Sequence, residues 1–482
     1  MDERQFIFED QEAFAKLSGD FNLMHMDIAM ARRTMLGNVV VHGIHSLLWA
    51  MDNWCKKRKK LMQLTTLRVE FGQAVKLDEV ITLHVSKDED NYIEFMLQSK
   101  SVTVATVSMS VVERLKADFN HVDDKKFSAC ASENLMPDKF VGISQNLRIT
   151  SNRELATKLF SDLTRVFPYD QIALILSTTR FVGMHCPGMY SVFSSLDLSF
   201  QEKEPIGINA QFTVERYDPR FSMLKIRLAS SGVDGIVTAF YRPPQKQAGF
   251  PELSRAVEAN EFHDQKALVV GGSRGIGEIC AKLLAAGGAD VVVSYNRGEA
   301  DGIRVVEEIR RGGGSARLLK LDVLNITDDL GRQLRDGWRI THLYYFATPP
   351  IFVAQRGNFS YKLFRKFCDC YLGALLELIS ALEATGATLS QLFYPSSVAI
   401  DELPLNMGEY SVAKAAGEQM VRFLEKAKPE LSVHTPRLPR ISTDQTLSIV
   451  PVRNEDPSLL VLPVLRTMTE VDAEEQQRTL RE

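Results

Sequence analysis

Cysteine is scarce in this chain, with six among 482 residues. They stand at positions 55, 130, 186, 280, 368 and 370, too scattered for a disulfide scaffold or a CxxC metal pair. Cys368 and Cys370 are two apart, a spacing that does not share a helix face. No uninterrupted apolar run approaches the roughly 18 residues that a membrane span needs. A basic excess is missing as well: 57 Lys and Arg face 61 Asp and Glu, for a net charge of −4. That argues against a chain-wide grip on nucleic acid. The opening MDERQFIFED is acidic and has no apolar signal core. A reduced, soluble, cytoplasmic protein with no membrane span is therefore expected. What is present is ordinary globular composition, 45% apolar and 24% charged, at a length that suggests roughly three domains of about 150 residues.

Two polar stretches read as linkers, 116–140 and 243–264; the second has the consecutive prolines Pro243 and Pro244. Domains are accordingly expected at 1–118, 140–243 and 262–482. The first two share a repeat. LGNVVVHGIHSLL (36–48) matches FVGMHCPGMYSVF (181–193), aligning Gly43 with Gly188 and Ser46 with Ser191, and LRVEF (67–71) matches LDLSF (196–200). Each match opens a series of strands with a period of two, such as IEFML in one half and SMLKIRLAS in the other, the pattern of half-buried antiparallel sheet. A helix followed by antiparallel strands, twice over, is an α+β unit in tandem; pairing the two units covers an edge and a helix that neither covers alone. The third block changes rhythm. KALVV, a glycine loop, a helix, ADVVVSY, a helix and ARLLKLDV are alternating βαβ units, which imply an α/β doubly wound parallel sheet.

LSGDFNLMHMDIAMA (17–31) supplies Ser18, Gly19, Asp20, Asn22, Met24, His25 and Ala31, and Val40, Val41, His42 and Gly43 follow as VVHG. These two elements resemble the MaoC-like (hydratase 2) family of the hot-dog fold, which acts on (R)-3-hydroxyacyl thioesters. Leu23 stands where that family has proline. Dehydrating such a thioester means removing a weakly acidic α-proton and expelling hydroxide, work that a carboxylate and an imidazole can share. The resemblance implies that Asp20 and His25 are this acid/base pair and that Asn22 orients the water or the pair. It implies that the Gly43 N–H serves as the donor to the thioester oxygen. His42 and His45 read as packing or supporting residues. Counting back from Gly188, the second block has Arg165 and Asp170 at the matching positions, so it reads as the non-catalytic half of a double hot-dog. His185, without a partner, reads as structural. The basic run Lys56–Lys60 is a solvated face or a contact for coenzyme A phosphates or an acidic carrier protein.

In the third block, KALVVGGSRGIGEICAKLL (266–284) sets Gly271, Gly275 and Gly277 between a strand and a helix, where backbone amides can face a pyrophosphate. Tyr410 and Lys414 stand in YSVAK, one helical turn apart, and Ser397 lies thirteen positions before Tyr410. Together these resemble the short-chain dehydrogenase/reductase family, giving a Rossmann-type domain after the double hot-dog. The resemblance implies that Tyr410 protonates a ketone oxygen, that Ser397 hydrogen-bonds it, and that Lys414 lowers the tyrosine pKa and holds the ribose. Gly271, Ser273, Arg274, Gly275, Ile276 and Gly277 would cradle the cofactor, with Asp322 and Val323 near the adenine and Ala347 on the wall. The second strand ends at Asn296 and Arg297 without an acidic residue. With Arg274, that favours a 2′-phosphate and hence NADPH. Two elements depart from the family: Tyr345, Phe346, Ala347 and Thr348 stand in place of its Asn-Asn-Ala-Gly element, and Tyr371 stands where it has a catalytic asparagine.

The two resemblances imply consecutive chemistries: a 3-oxoacyl-thioester reductase followed by a (R)-3-hydroxyacyl-thioester dehydratase, on acyl-CoA or acyl carrier protein substrates. NADPH points to a biosynthetic direction in a fatty-acyl or polyketide-like pathway. Two alternatives stay open: the reverse pair in degradation, and an acyl-thioester-binding scaffold whose reductase domain is silent. A homodimer is implied by the second resemblance alone, and no metal is called for.

Overall fold

The computed structural model describes residues 2–31, 38–100, 102–114, 122–242, 247–326, 330, 333, 339–352, 354, 356–441, 443 and 455–479. The domain limits expected at 118, 243 and 482 lie outside the described residues. The chain divides into two compact units, one formed by the first 244 residues and the other by most of the remainder.

Alternating sequence in the first unit becomes one ten-stranded sheet. In chain order its strands are β1 (Asp2–Gln5), β2 (Met62–Phe71), β3 (Val80–Asp88), β4 (Tyr92–Ser99), β5 (Val102–Glu113), β6 (Ser144–Arg148), β7 (Ser191–Phe200), β8 (Asn209–Asp218), β9 (Met223–Ser230) and β10 (Val233–Tyr241). They lie in the order β1-β3-β4-β5-β2-β7-β10-β9-β8-β6, and every pairing is antiparallel. The seam between the halves is β2 against β7, from Thr66 opposite Ser199 to Glu70 opposite Ser195. In β4, Ile93, Phe95 and Leu97 are buried while their neighbours are less so, the one-faced burial that a period of two specifies. Three helices matter for function: α1 (Phe8–Ser18), α2 (Gly43–Cys55) and α3 (Tyr169–Arg180). All of α3 except Asp170 is buried, its polar residues included. This is a double hot-dog.

The internal repeat needs one correction. The strands that contain Leu67 and Leu196, each at its sixth residue, are equivalent, since β2 and β7 pair at the seam. The glycines are not equivalent. Gly43 is the first residue of α2, whereas Gly188, with φ +78°, lies in the turn after α3 and a π-helical turn, Phe181–His185. That extra turn precedes β7, so a short Gly-x-x-Ser match falls out of register with the helices. Arg165, matched to Asp20 by that count, instead donates to the carbonyls of Arg58 and Cys55 and pairs with Asp162.

The second unit holds a six-stranded parallel sheet. Its strands are β11 (Lys266–Val270), β12 (Asp290–Tyr295), β13 (Ser315–Lys320), β14 (His342–Tyr345), β15 (Gln391–Phe393) and β16 (Ser432–His434), in the order β13-β12-β11-β14-β15-β16. Alternate residues of β11 enter different cores: Ala267 and Val269 one, Leu268 and Val270 the other. Helices α4 (Gly275–Ala286) and α5 (Glu299–Arg311) cover the first face. On the second face pack α6 (Tyr361–Cys368), α7 (Ala374–Ala384) and α8 (Gly408–Ala427). Burial on both faces is why these strands read as continuous apolar runs, and the architecture is a Rossmann-type doubly wound sheet. Among the described residues, no helix is long and apolar enough to cross a membrane.

Candidate active sites

Helix α1 ends because Gly19 adopts φ +81° and returns its N–H to the carbonyl of Ala15, a left-handed cap that suits glycine. The chain then turns through Asp20 and Asn22 into a short helix, Leu23–Met26, which carries His25. Asn22 caps that helix by accepting the Met24 N–H at 3.0 Å. Its amide nitrogen donates to the carbonyls of Gly183 and Gly188 at 2.9 and 3.0 Å. The Asn22 side chain therefore ties the loop to the second half of the unit.

Asp20 is 2% exposed. One carboxylate oxygen accepts the Asn22 N–H at 3.1 Å and the other the Thr179 hydroxyl at 2.6 Å. Burial pushes its pKa upward, against the pull of His25 and these two hydrogen bonds. His25 Nδ1 lies 2.7 Å from the Val40 carbonyl. A carbonyl only accepts, so Nδ1 carries the proton and Nε2 is the nitrogen left for proton transfer. Burial lowers the His25 pKa, opposed by Asp20. The carboxyl is moved up and the imidazole down, which narrows the gap between them and lowers the cost of passing a proton either way.

Ligand-type atoms of Asp20, His25 and His42 lie within 4.8 Å of one another. His42 has an oxygen against each ring nitrogen, however, Gln11 Oε1 2.9 Å from Nδ1 and the Asp20 carbonyl 3.1 Å from Nε2, and the neutral ring donates to one of them. Its ring stacks on His25 at a centroid distance of 3.8 Å, and burial with two neighbouring imidazoles holds its pKa well below the usual value. The cluster therefore offers a buttressed carboxylate and imidazole, not a free three-ligand set. His45 packs flat on Phe14 at 4.5 Å, and burial lowers its pKa to about 3. Gly43 follows His42 and opens the 13-residue α2, where unpaired N–H groups and the helix dipole favour a developing negative charge. A Cβ there would meet the Phe71 ring at 3.0 Å.

Two residues at this site were not singled out from the sequence. Thr179 bonds Asp20 from the end of α3, and a Cβ on Gly183 would stand 2.2 Å from Asp20 Oδ1. The second half thus shapes the carboxylate's environment. The available signal was the polar run Ser177–Arg180 that follows the apolar stretch 172–176 at the end of the helix. Since the Thr179 hydroxyl lowers the Asp20 pKa, Thr179→Val should raise it. The acid limb of a dehydration pH–rate profile should move to higher pH, with folding retained by melting temperature.

In the second unit, the turn after β11 is built on glycine for steric reasons. Gly271 has φ +75° and Gly275 φ +60°, and a Cβ on Gly277 would come 2.4 Å from the Gly271 carbonyl oxygen. The Gly271 N–H donates to Ser294 Oγ at 3.1 Å. Ser273 is buried, Arg274 is the residue before α4, and Ile276 lies in its first turn. A Cβ on Gly271 would touch Phe346 and Ala347 backbone at 3.2–3.3 Å, so the end of β14 closes over the turn. Asn296 and Arg297 are exposed just beyond β12. Asp322 spends its carboxylate locally, on the Leu324 N–H and the Asn325 amide, both at 3.1 Å, with Val323 buried beside it.

Residues 2–111 match the family model of the MaoC-like domain, and residues 265–335 match that of short-chain dehydrogenases. The chain joins a MaoC-like dehydratase domain to a short-chain dehydrogenase/reductase domain. A hydroxynaphthalene reductase-like protein Arp2 of Metarhizium guizhouense is 44% identical over 96 residues, which are 20% of this chain and 34% of that protein. The chain thus spans about a third of the length of that curated relative. The short-chain dehydrogenase/reductase homolog YusS of Bacillus subtilis is 40% identical over 62 residues, 13% of this chain and 57% of the relative. Among solved structures, a short-chain dehydrogenase of Shigella flexneri complexed with NADP has 21% identity and a TM-score of 0.40, covering 44% of this chain and 93% of that one. FolM alternative dihydrofolate reductase 1 of Brucella suis, in complex with NADP, has 22% identity and a TM-score of 0.33, covering 36% and 72%.

In the short-chain dehydrogenase/reductase domain, Ser397 accepts the Ala399 N–H at 3.2 Å and stands near enough to Tyr410 to lower its pKa, and Lys414 lies one turn further along α8. Lys414 Nζ donates to the Pro395 carbonyl at 2.7 Å and sits 4.1 and 4.7 Å from the ring centroids of Tyr371 and Tyr394. Burial lowers its pKa to about 7. Burial also raises the Tyr410 pKa, opposed by Ser397, whereas the family resemblance implies a tyrosine pKa lowered by the lysine. The physical reason is that Lys414 directs its ammonium at Pro395 and the two rings while Tyr410 is itself desolvated. Tyr371 occupies a π-helical turn, Asp369–Gly373, between α6 and α7, and shares a 2.6 Å hydrogen bond with Thr348. Tyr345 donates to the Cys370 carbonyl in the same turn at 2.7 Å. Tyr345 and Tyr371, both departures from the family pattern, are thus bonded into one turn beside Tyr410.

Proposed function

We propose that the chain is a bifunctional enzyme, reducing a 3-oxoacyl thioester with NADPH and dehydrating the resulting (R)-3-hydroxyacyl thioester. The observation that carries this reading is that one polypeptide has a buried Asp20 beside a His25 whose Nε2 has no hydrogen-bond partner among the described residues, and also a Ser397–Tyr410–Lys414 set. In the dehydratase domain, Asp20 and His25 divide the two proton transfers, one group taking the α-proton and the other protonating the departing hydroxyl. The Gly43 N–H, at the start of α2, stabilises charge on the thioester oxygen. Asn22 and His42 hold the pair through backbone and ring contacts.

The reductase site suits a dinucleotide. Its turn needs glycine for positive φ at Gly271 and Gly275 and has no room for a Cβ at Gly277, where backbone amides meet the start of α4. Gly271, Ser273, Arg274, Gly275, Ile276 and Gly277 would hold the pyrophosphate, Asn296 and Arg297 with Arg274 a 2′-phosphate, and Asp322, Val323 and Ala347 the adenine side. A bound nicotinamide cofactor supplies the hydride. Tyr410, kept as the neutral phenol by burial, gives its proton to the carbonyl oxygen, while Ser397 orients that oxygen and Lys414 holds the ribose.

A second reading, a thioester-binding scaffold with a silent reductase domain, draws on the engagement of Lys414 by Pro395 and the tyrosine rings. Supplying a 3-oxoacyl thioester with NADPH or NADH separates the readings. The bifunctional enzyme oxidises NADPH and forms an enoyl thioester. Cofactor binding without turnover would favour the scaffold, and a clear NAD+ preference in the reverse reaction would favour degradation.

A further inference from the structure

Beside the dehydratase loop lies a cavity of about 510 Å³, whose wall includes Lys125, Phe127, Leu147, Arg148, Arg180 and His185. Asp123 and Asp124 also line it. Asp123 pairs with Arg148 and Glu133 with His185, while the Asp124 carboxylate is turned to neutral donors, the Asn152 amide and the Arg153 N–H. Arg180 differs. It is 7% exposed, and its guanidinium donates to Thr150 Oγ1 at 3.1 Å and to the Arg148 carbonyl at 2.9 Å, both neutral acceptors. Among the described residues neither Arg180 nor Lys125 has a carboxylate within ion-pair distance. The two cations flank one ring, with Arg180 Cζ 4.7 Å and Lys125 Nζ 5.3 Å from the centroid of Phe127. A buried cation without a counter-charge is costly, and burial lowers the Arg180 pKa to about 10.

The cavity shares a wall with the reacting groups. A Cβ on Gly19 would lie 2.8 Å from Arg180 Cδ and 2.9 Å from the Phe127 ring. Gly19 precedes Asp20, and Thr179, next to Arg180, bonds the Asp20 carboxylate.

We propose that this cavity is a subsite for an anionic group of the thioester substrate, a phosphate or a carboxylate, bound by Arg180 with Lys125 at the rim. The proposal rests on the dehydratase reading for the identity of the ligand as a thioester, while binding of the anion is measurable without turnover. Two sources of the anion are distinguishable. Phosphates of the carrier arm make coenzyme A bind more tightly than pantetheine; a carboxylate on the acyl chain makes glutaryl-pantetheine bind more tightly than butyryl-pantetheine.

Calorimetry on the full chain with these four ligands is the test. One of the two pairs should differ by about 10- to 100-fold, the range for a hydrogen bond to a charged group. Arg180→Gln should abolish that difference, and Arg180→Lys should retain part of it. Since Arg180→Gln also removes hydrogen bonds to Thr150 and Arg148, Lys125→Ala at an exposed position is the second variant, expected to shrink the same difference with an unchanged melting temperature. No difference in either pair, or a difference unaltered in a folded Arg180→Gln and in Lys125→Ala, would overturn the subsite. Anion-dependent binding with no enoyl turnover would leave the subsite standing and remove the dehydratase reading; turnover without anion dependence would do the reverse.

Discussion

Asp20→Asn should lower dehydration of a 3-hydroxyacyl thioester by about 10²- to 10⁴-fold, the usual contribution of a positioned acid or base, and leave NADPH-dependent reduction unchanged. Asparagine is nearly isosteric and its amide oxygen can still accept the Thr179 hydroxyl or the Asn22 N–H, so the loop should keep its shape. The sign of the stability effect separates loss of chemistry from loss of fold. The folded-state pKa of Asp20 is raised by burial, so above the unfolded pKa its ionised form disfavours the folded state, and that cost is relieved as pH falls. Replacing it by a neutral amide should therefore not lower the melting temperature at neutral pH. Equal loss of both activities would contradict separate sites.

Tyr410→Phe should do the reverse, lowering reduction by about 10²- to 10⁴-fold with dehydration intact. The phenylalanine ring keeps the edge contacts of Tyr410 with Phe367 and Tyr371, at centroid distances of 5.8 and 5.9 Å, and NADPH binding, followed by its fluorescence, should persist. In the unmodified protein the pH dependence of reduction should bear the mark of Lys414. Its pKa is lowered to about 7, so the ammonium is complete below that value and lost as pH rises through it, and the rate should decline over the same range. Tyr410, raised by burial, stays protonated there and contributes no limb. An unchanged reduction rate in Tyr410→Phe would reject its role as proton donor.

Much of the fold is legible because it is written in local periodicity. IEFML alternates and becomes β4 with one buried face; KALVV does not alternate and becomes β11, buried on both. The glycine turn is legible too, since Gly277 is forced by its contact with the Gly271 carbonyl. Of the first site, Asp20, His25 and Gly43 are close enough in sequence to be picked out, and the structure gathers them around His42. Thr179 and Gly183 were missed because contacts across some 160 residues leave no local pattern. The glycine alignment between the halves failed for a related reason: a four-residue match cannot register a π-helical turn inserted before β7. In the reductase domain, Tyr345 and Tyr371 were legible only as departures; their bonding into one turn depends on a helix interruption that the sequence does not announce.

Two independent sites acting in succession on one acyl group are tested most directly by product analysis of complementary variants. Given a 3-oxoacyl thioester and NADPH, Asp20→Asn should accumulate the 3-hydroxyacyl thioester, and later addition of Tyr410→Phe should convert that product to the enoyl thioester, as read by mass spectrometry. Enoyl product from Asp20→Asn alone at the unmodified rate, or no 3-hydroxyacyl thioester at all, would contradict the account.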